Sequence, residues 1–227
     1  MNYERLEKFE KHRQQLLAKH AGDGVILDIG YANQPNSFLR GREVIGVDLH
    51  AAECPVNYAR VVEADALTLP FEPNSVDAIV AGELVEHLMN PTQYFLECNR
   101  ILKPGGRCIF SVPNPYHLPE LFKNILLSRR ELFTNSHLSA TAFRTMVKLL
   151  MMTGFDVADI EGDYLRVPKV HWLIPMHRVP GIAYSNLYVA TKEREVELND
   201  FHSRLHTIHA SEAAAAEVRN SAFSLLR

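Results

Sequence analysis

The sequence has few cysteines, no long apolar run and no excess of basic residues. Its three cysteines, Cys54, Cys98 and Cys108, are widely spaced and form no C-x-x-C pair, which is typical of reduced packing residues. No run of about 18 apolar residues occurs, so we expect no membrane span. The formal net charge of -3 and the lack of basic clusters argue against general nucleic-acid binding.

The N-terminal segment also lacks the features of a targeting signal. MNYERLEKFEKHRQQ is too charged for a secretory signal, so we expect a cytoplasmic location. Apolar residues recur at helical spacing over residues 2–20, which predicts an amphipathic helix that either covers a ligand or packs on a sheet. The 227 residues, 47% of them hydrophobic, suffice for one large core with a short appendage.

The rest of the chain is organised around residues 25–48, which contain three of its eleven glycines. Val25 to Ile29 predict a buried strand, and Gly30 breaks it at a point where positive φ and exposed N–H groups can accommodate an anion such as a carboxylate. Val44 to Val47 predict a second strand, followed by Asp48, whose carboxylate can accept both hydroxyls of a ribose. The stretch is typical of a nucleotide pocket, although an ordinary βαβ unit is the alternative.

Strands and helices alternate along the remaining chain. The patterns predict strands at residues 60–64, 76–81, 107–112, 155–160 and 186–191, helices at about 91–102, 118–127 and from a Ser139 cap to Met152, and a loop at 162–184. Such alternation implies a parallel sheet whose binding crevice lies at the carboxyl ends of the strands. Six residues fall at or just beyond such ends: Asp28, Gly30, Asp48, Asp65, Gly82 and Glu83.

Five segments in this order resemble the motifs of class I S-adenosylmethionine-dependent methyltransferases. They are VILDIG, VIGVDLH, EADALTLPF, DAIVAGELVEHL and RILKPGGRCIFSVPNP, and the last but one points to the subgroup with an E-x-x-E-H motif after strand four. The resemblance implies an α/β fold with a Rossmann-like, seven-stranded, mostly parallel sheet. Its strand order is 3-2-1-4-5-7-6 with strand 7 antiparallel, and helices cover both faces. We expect an N-terminal helical cap at 1–22, a methyltransferase domain at 23–192 and a partly helical or flexible tail at 193–227.

The resemblance also implies S-adenosyl-L-methionine as the cofactor. The Gly30 loop, with Asp28, Tyr31 and Ala32, would hold its methionine part, and Asp48 would bind the ribose. Asp65 would bind the adenine amino group, with Leu49 and Ala66 flanking the base, and Gly82 and Glu83 would lie beside the sulfonium. The chain departs from the usual G-x-G-x-G, because it reads Gly30-Tyr31-Ala32-Asn33-Gln34.

The expected reaction is methyl transfer to a small-molecule or glycan-type acceptor, at oxygen. His87 is the candidate base because imidazole titrates near neutral pH, although it can equally serve to orient its loop. Aromatic residues outside the motifs are candidates for substrate contact: Tyr116, His117, Tyr164, Trp172 and also His177. Two alternatives stay open, a non-catalytic Rossmann-like binding module and a nicotinamide-dependent oxidoreductase, which would need G-x-G-x-x-G.

A divalent metal is conceivable but not expected. Glu83, Glu86 and His87 are spaced i, i+3, i+4, so a helical turn would place them on one face, where His137 could complete a metal site. The tail histidines His202, His206 and His209 have irregular spacing, which favours a solvated helix over a metal site. The oligomeric state has no sequence signal.

Overall fold

The core of the fold is a seven-stranded sheet, described here from a computed structural model over residues 3–41, 43–117, 121, 141–167 and 170–196. The side chains of residues 3–6, 166–167 and 170–173 are not part of the description. The strand order is β3-β2-β1-β4-β5-β9-β6, and β9 runs antiparallel to both of its neighbours. This is the predicted topology, with an extra hairpin inserted before the last strand.

The helices are α1 (Tyr3–Ala21), α2 (Pro91–Ile101) and α3 (Phe143–Met152). The strands are β1 (Val25–Ile29), β2 (Glu43–Asp48), β3 (Arg60–Glu63), β4 (Val76–Gly82), β5 (Leu102–Pro113), β6 (Phe155–Gly162), β7 (Tyr164–Val167), β8 (Val170–Pro175) and β9 (Ser185–Lys192).

Helix α2 begins where its capping residues predicted. The side chain of Asn90 accepts a hydrogen bond from the Gln93 N–H at 3.1 Å, and Pro91 occupies the first helical position, as predicted. Helix α3 begins at Phe143, beyond the predicted cap Ser139, which lies outside the described residues together with the predicted helix at 118–127 and His137.

The predicted loop at 162–184 is wrong over much of its length. Strands β7 and β8 pair there as an antiparallel two-stranded sheet, with Tyr164 opposite Pro175 and Leu165 opposite Ile174. The signal was a pair of short segments rich in β-branched and aromatic residues on either side of Pro168 and Lys169. The prolines in this region hid that pattern.

The two faces of the sheet are covered differently. One face packs against α2 and α3 through Phe95, Phe110 and Met146. On the other face, the connection from β1 to β2 contains only one 3-10 turn, Tyr31–Asn33, so it supplies little cover. Helix α1 fills that gap, because Leu16 and Leu17 share a buried cluster with strand residues. The helix therefore packs on the sheet, one of its two predicted placements.

Within the described ranges, none of the helices is both long and apolar enough to cross a bilayer.

Candidate functional site

The carboxyl edge of the sheet divides into two halves. We call the loops after β1, β2 and β3, with Gly30, Asp48 and Asp65, the β1–β3 half. We call the ends of β4, β5 and β6 and the facing turns of α1, with Glu83, Glu86 and Asp163, the β4–β6 half. The parallel strands β1 to β5 bring these side chains to one edge although they are distant in sequence.

Gly30 ends β1 in the left-handed conformation, with φ 84° and ψ 24°. Its N–H donates to the carbonyl of Val47 at 2.7 Å, which ties the turn to β2. A side chain here would meet Leu84, since a Cβ would lie 3.4 Å from its Cδ1. The backbone conformation therefore favours glycine at this position, and a larger residue would change the contact with Leu84.

The side chain of Tyr31 points away from the edge. Its ring packs so closely on Gly46 that a Cβ at Gly46 would lie 2.8 Å from the ring, and its hydroxyl donates to the Ala52 carbonyl at 2.9 Å. Only the main chain of Tyr31 borders the cleft. A role for Tyr31 in cofactor binding therefore stays a prediction limited to its backbone.

Asp48 is the hub of the β1–β3 half. One carboxylate oxygen accepts the N–H of Ala32 and the other accepts the N–H of His50, both at 3.1 Å. Because each carboxylate oxygen has two lone pairs, both can accept one further hydrogen bond. Asp48 thus fixes the turn after Gly30 and still has capacity for a ligand's hydroxyl groups.

Asp28 of β1 is the buried acidic residue of this half. It is buried, accepts the N–H of Asn36 at 3.1 Å and also accepts the hydroxyl of Tyr58. Burial raises the pKa of Asp28 to about 6, against the lowering effect of these two hydrogen bonds. The described hydrogen bonds of the Asp28 side chain are with Asn36, in the loop at 34–36, and with Tyr58, while direct contact with a cofactor stays a prediction.

The far end of the β1–β3 half is open to solvent. Asp65 is exposed and accepts the N–H of Leu67 at 2.9 Å, and Leu49 is exposed as well. Ala66, the residue after Asp65, is half-buried. The predicted base-flanking pair thus lies at the surface, where an aromatic ring could cover Leu49.

The β4–β6 half begins with an unusual backbone at Glu83. This residue has φ 53°, a conformation that non-glycine residues rarely adopt and that often marks functional sites. Its N–H donates to Ser111, with the carbonyl and hydroxyl oxygens each at 3.2 Å. Its Oε1 is buried without a hydrogen-bond partner, whereas Oε2 faces Arg13.

Arg13 reaches this half from helix α1. One guanidinium nitrogen donates to Gln34 Oε1 at 3.0 Å, and another lies 3.9 Å from Glu83 Oε2. The guanidinium therefore bridges the loop after β1 and the end of β4. Sequence reasoning missed Arg13, because nothing local distinguishes it from the other charges of an amphipathic helix.

Two buried carboxyl groups in this half have strongly perturbed acidity. Burial, together with the nearby charge of Glu83, raises the pKa of Glu86 to about 8. Burial likewise raises the pKa of Asp163 to about 8; the charge of Arg13 opposes this rise and that of Glu83 adds to it. Both carboxyls are therefore largely neutral at pH 7.

Asp163 has a further connection to α1. Both of its oxygens are buried without a hydrogen-bond partner, and the nearest basic group is His12, whose Nε2 lies 3.6 Å from Oδ1. Burial and the neighbouring His177 lower the pKa of His12. His12 and Asp163, both unflagged by sequence reasoning, thus form a neutral pair at neutral pH.

The expectation that a helical turn groups Glu83, Glu86 and His87 is wrong. The turn is a 3-10 helix over Val85–His87, and Glu83 precedes it with positive φ. Among the described residues no three His, Cys, Asp or Glu side chains come together as a metal site, and His137 lies outside them. His87 is exposed, with Nε2 3.9 Å from Glu86 Oε1, so its role as a base stays a prediction.

The residues predicted to contact the substrate differ in burial. His117 is buried with its Nδ1 3.2 Å from the Ile182 carbonyl, and Tyr164 is buried between the rings of Phe9 and Tyr184. Both have packing partners that explain their presence. Tyr116 is exposed, His177 pairs with Glu161 at 3.4 Å, and the Trp172 side chain is outside the description.

The described residues fit a ligand that combines a ribose, a base and a charged amino-acid group. Asp48 and Asp65 can accept hydroxyl and amino protons, and the buried Oε1 of Glu83 still lacks a donor. Arg13 supplies a cation between the two halves.

Comparison with known proteins shows which domains this chain resembles. Residues 27–110, from β1 to β5, match the family model described as a methyltransferase domain. A probable S-adenosylmethionine-dependent methyltransferase of Mycolicibacterium smegmatis is 30% identical over 128 residues, covering 54% of this chain and 47% of the relative. A ubiquinone biosynthesis O-methyltransferase of Alkalilimnicola ehrlichii is 37% identical over 103 residues, covering 39% and 41%. The chain thus spans less than half the length of these relatives.

Solved structures share the fold over more of the chain. A Thermotoga maritima SAM-dependent methyltransferase, described as a possible histamine N-methyltransferase, superimposes with a TM-score of 0.66 at 15% identity and covers 85% of this chain and 94% of its own. The [4+2]-cyclase SpnF superimposes with a TM-score of 0.58 at 16% identity, covering 80% of both chains. The predicted fold is confirmed. The match over residues 27–110 supports the predicted class of domain, and the E-x-x-E-H subgroup stays a prediction.

Proposed function

We propose that this protein is an S-adenosylmethionine-dependent methyltransferase. The observation that carries the proposal is the coincidence of the methyltransferase-domain match over residues 27–110 with the β1–β3 half, where Asp48 lies at the Gly30 turn. Bound at this edge, the cofactor would supply an activated methyl group. Asp48 would accept the ribose hydroxyls, Asp65 the adenine amino group, and Leu49 and Ala66 would contact the base.

The protein's own contribution to the reaction would be mainly positional. Methyl transfer is an in-line displacement, and alignment of the two reactants can contribute about 7–11 kcal/mol to lowering the barrier. The Gly30 turn is held by Val47 and Asp48, and the loop at 34–36 by Asp28, so the cleft wall is rigid before any ligand enters. Such preorganisation favours the aligned arrangement.

Titration with S-adenosylhomocysteine and, separately, with NAD tests this proposal. We expect the thermal midpoint to rise with S-adenosylhomocysteine and not with NAD, because the loop lacks G-x-G-x-x-G. A response to NAD alone would favour the oxidoreductase. No response to either would favour a non-catalytic binding module.

For the acceptor we propose a small molecule or a glycan-type compound, methylated at oxygen. Support comes from relatives named as O-methyltransferases, including a malonyl-[acyl-carrier protein] O-methyltransferase of Coxiella burnetii that is 33% identical over 93 residues. A hydroxyl acceptor loses its proton during transfer, and His87, exposed beside Glu86, would receive it.

Product analysis tests the acceptor atom. The protein would be incubated with a small-molecule extract and S-adenosylmethionine carrying a deuterated methyl group, and labelled products would be identified by mass spectrometry. Methyl ethers or esters would support oxygen. Labelled N-methyl amines, the chemistry named for the Thermotoga neighbour, would contradict it.

A further inference from the structure

We infer that Arg13 of helix α1 and Glu83 after β4 together bind the zwitterionic amino-acid end of the cofactor. The inference rests on the proposed function and extends it to a helix outside the matched residues 27–110. Arg13 would contact the α-carboxylate and Glu83 the α-ammonium group.

The loop after β1 has few free N–H groups with which to bind a carboxylate, so a cation from another element would help to hold it. In place of the second and third glycines the chain has Ala32 and Gln34. The N–H of Ala32 already donates to Asp48 and that of Gln34 to the Tyr31 carbonyl, so neither is free to hold a carboxylate. A donor from outside the loop would therefore add to the few N–H groups that the loop itself can offer a carboxylate.

Arg13 is positioned to supply those donors. Its side chain is mostly buried, its Nε would lie 3.9 Å from a Cβ at Gly82, and it donates to the Gln34 side chain. A guanidinium has five N–H donors in a planar fork suited to carboxylates, and the described residues accept only one hydrogen bond from it.

Glu83 completes the pair. Its distance of 3.9 Å from Arg13 is too long for a hydrogen bond, and its Oε1 is buried without a donor. A cation beside Glu83 and an anion beside Arg13 would satisfy both groups at once. A free α-amino acid group carries both of these charges.

The helix holds Arg13 rigidly beside the loop. Glu10 accepts from the Gln34 side chain at 2.8 Å, Gln14 donates to the Pro35 carbonyl at 3.3 Å, and the Asn36 side chain donates to the Gln14 carbonyl at 3.0 Å. Three hydrogen bonds from little more than one turn of α1 hold the helix to residues 34–36. Little ordering would then be needed on binding.

Two ligands separate this contact from the rest of the site. S-adenosylhomocysteine carries the amino-acid end, and 5′-methylthioadenosine lacks it while keeping the nucleoside. Calorimetry would measure both affinities for the wild type, Arg13→Gln, Arg13→Lys and the control Lys11→Gln. Lys11 lies on the same helix, is exposed and pairs with Glu7.

We expect Arg13→Gln to weaken S-adenosylhomocysteine binding by about 10- to 100-fold, the usual effect of losing a charge-assisted contact. Its affinity for 5′-methylthioadenosine should stay unchanged, Arg13→Lys should retain part of the preference, and Lys11→Gln should match the wild type. Equal loss of both ligands in Arg13→Gln, or no loss of either, would overturn the inference.

The two proposals fail differently. If the wild type binds neither ligand, the proposed function itself is contradicted. A wild type that binds both with equal affinity would keep the nucleoside site and overturn only the role of Arg13 and Glu83.

Discussion

The two halves of the carboxyl edge hold their acidic side chains in opposite ways. In the β1–β3 half, Asp48 and Asp65 accept backbone N–H groups and lie partly or fully in contact with solvent. In the β4–β6 half, Glu86 and Asp163 are buried among charges, and their pKa values rise to about 8. The acids of the β1–β3 half are held by backbone N–H groups, whereas the buried acids of the β4–β6 half have a charge that depends on the pH and on what binds beside them.

The most disruptive change should be Asp48→Asn in the β1–β3 half. Asn keeps the volume but loses the charge and one acceptor, so the ribose hydroxyls and the Ala32 N–H compete for one oxygen. We expect S-adenosylhomocysteine to bind about 100-fold more weakly, measured by calorimetry. Asp23→Asn is the matched control, because Asp23 is exposed and precedes β1, at the opposite end of the parallel strands from Asp48. Unchanged affinity in Asp48→Asn would show that the acid does not contact the ligand.

The contrast between the halves predicts a pH effect from Asp163. Because its pKa is raised in the folded protein, the folded state keeps a proton that the unfolded state releases, and this residue's contribution lowers stability as the pH rises from about 4 to about 8. Asp163→Asn should therefore stabilise the protein at pH 8 by roughly 2 kcal/mol, less than full linkage at about 1.4 kcal/mol per pKa unit because the amide also needs partners.

Urea unfolding at pH 5 and pH 8 measures this effect. The gain should be smaller at pH 5, where the folded Asp163 and its replacement are both neutral. Asp156→Asn, an exposed change on β6, the strand that Asp163 directly follows, should behave alike at both pH values. An equal effect of Asp163→Asn at the two pH values would show that the pKa of Asp163 is not raised, and the contrast in acidity between the two halves would then not hold.

Tyr58→Phe probes the one buried acid of the β1–β3 half. The change removes the hydroxyl that donates to Asp28 and leaves the Asn36 N–H as the remaining described donor. We expect a loss of about 1–2 kcal/mol in the free energy of unfolding, because a buried acceptor loses a partner. The exposed Tyr116→Phe is the control. A loss no greater than that of the control would mean that Asp28 does not depend on this hydrogen bond.

The smallest effect should come from the paired changes Gly30→Ala and Gly22→Ala. Both glycines have similar positive φ, 84° and 78°, so each alanine should cost about 1 kcal/mol of stability. A Cβ at Gly22 meets no atom within 4 Å, whereas one at Gly30 faces Leu84 at the cleft. Only Gly30→Ala should also weaken S-adenosylhomocysteine binding, and equal affinities in the two variants would place the cleft elsewhere.

The sheet and the β1–β3 half could be predicted because their signals are local. Val25 to Ile29 form a strand bounded by glycines, Asp48 and Asp65 directly follow strands, and parallel pairing brings strand ends together whatever the loops contain. The hairpin β7–β8 was missed because prolines interrupt its short alternation, and the turn at Val85–His87 because Glu83 adopts positive φ against its own preference.

The sequence by itself determined the sheet, its strand order and the acidic residues at the ends of its first strands. The tertiary structure alone decided the β4–β6 half. Arg13, Glu83 and Asp163 are separated by 70 or more residues and meet because α1 takes the face that the short β1–β2 connection leaves uncovered. Burial and the mutual field of distant charges then set their acidity, and both depend on the folded arrangement and not on any local pattern.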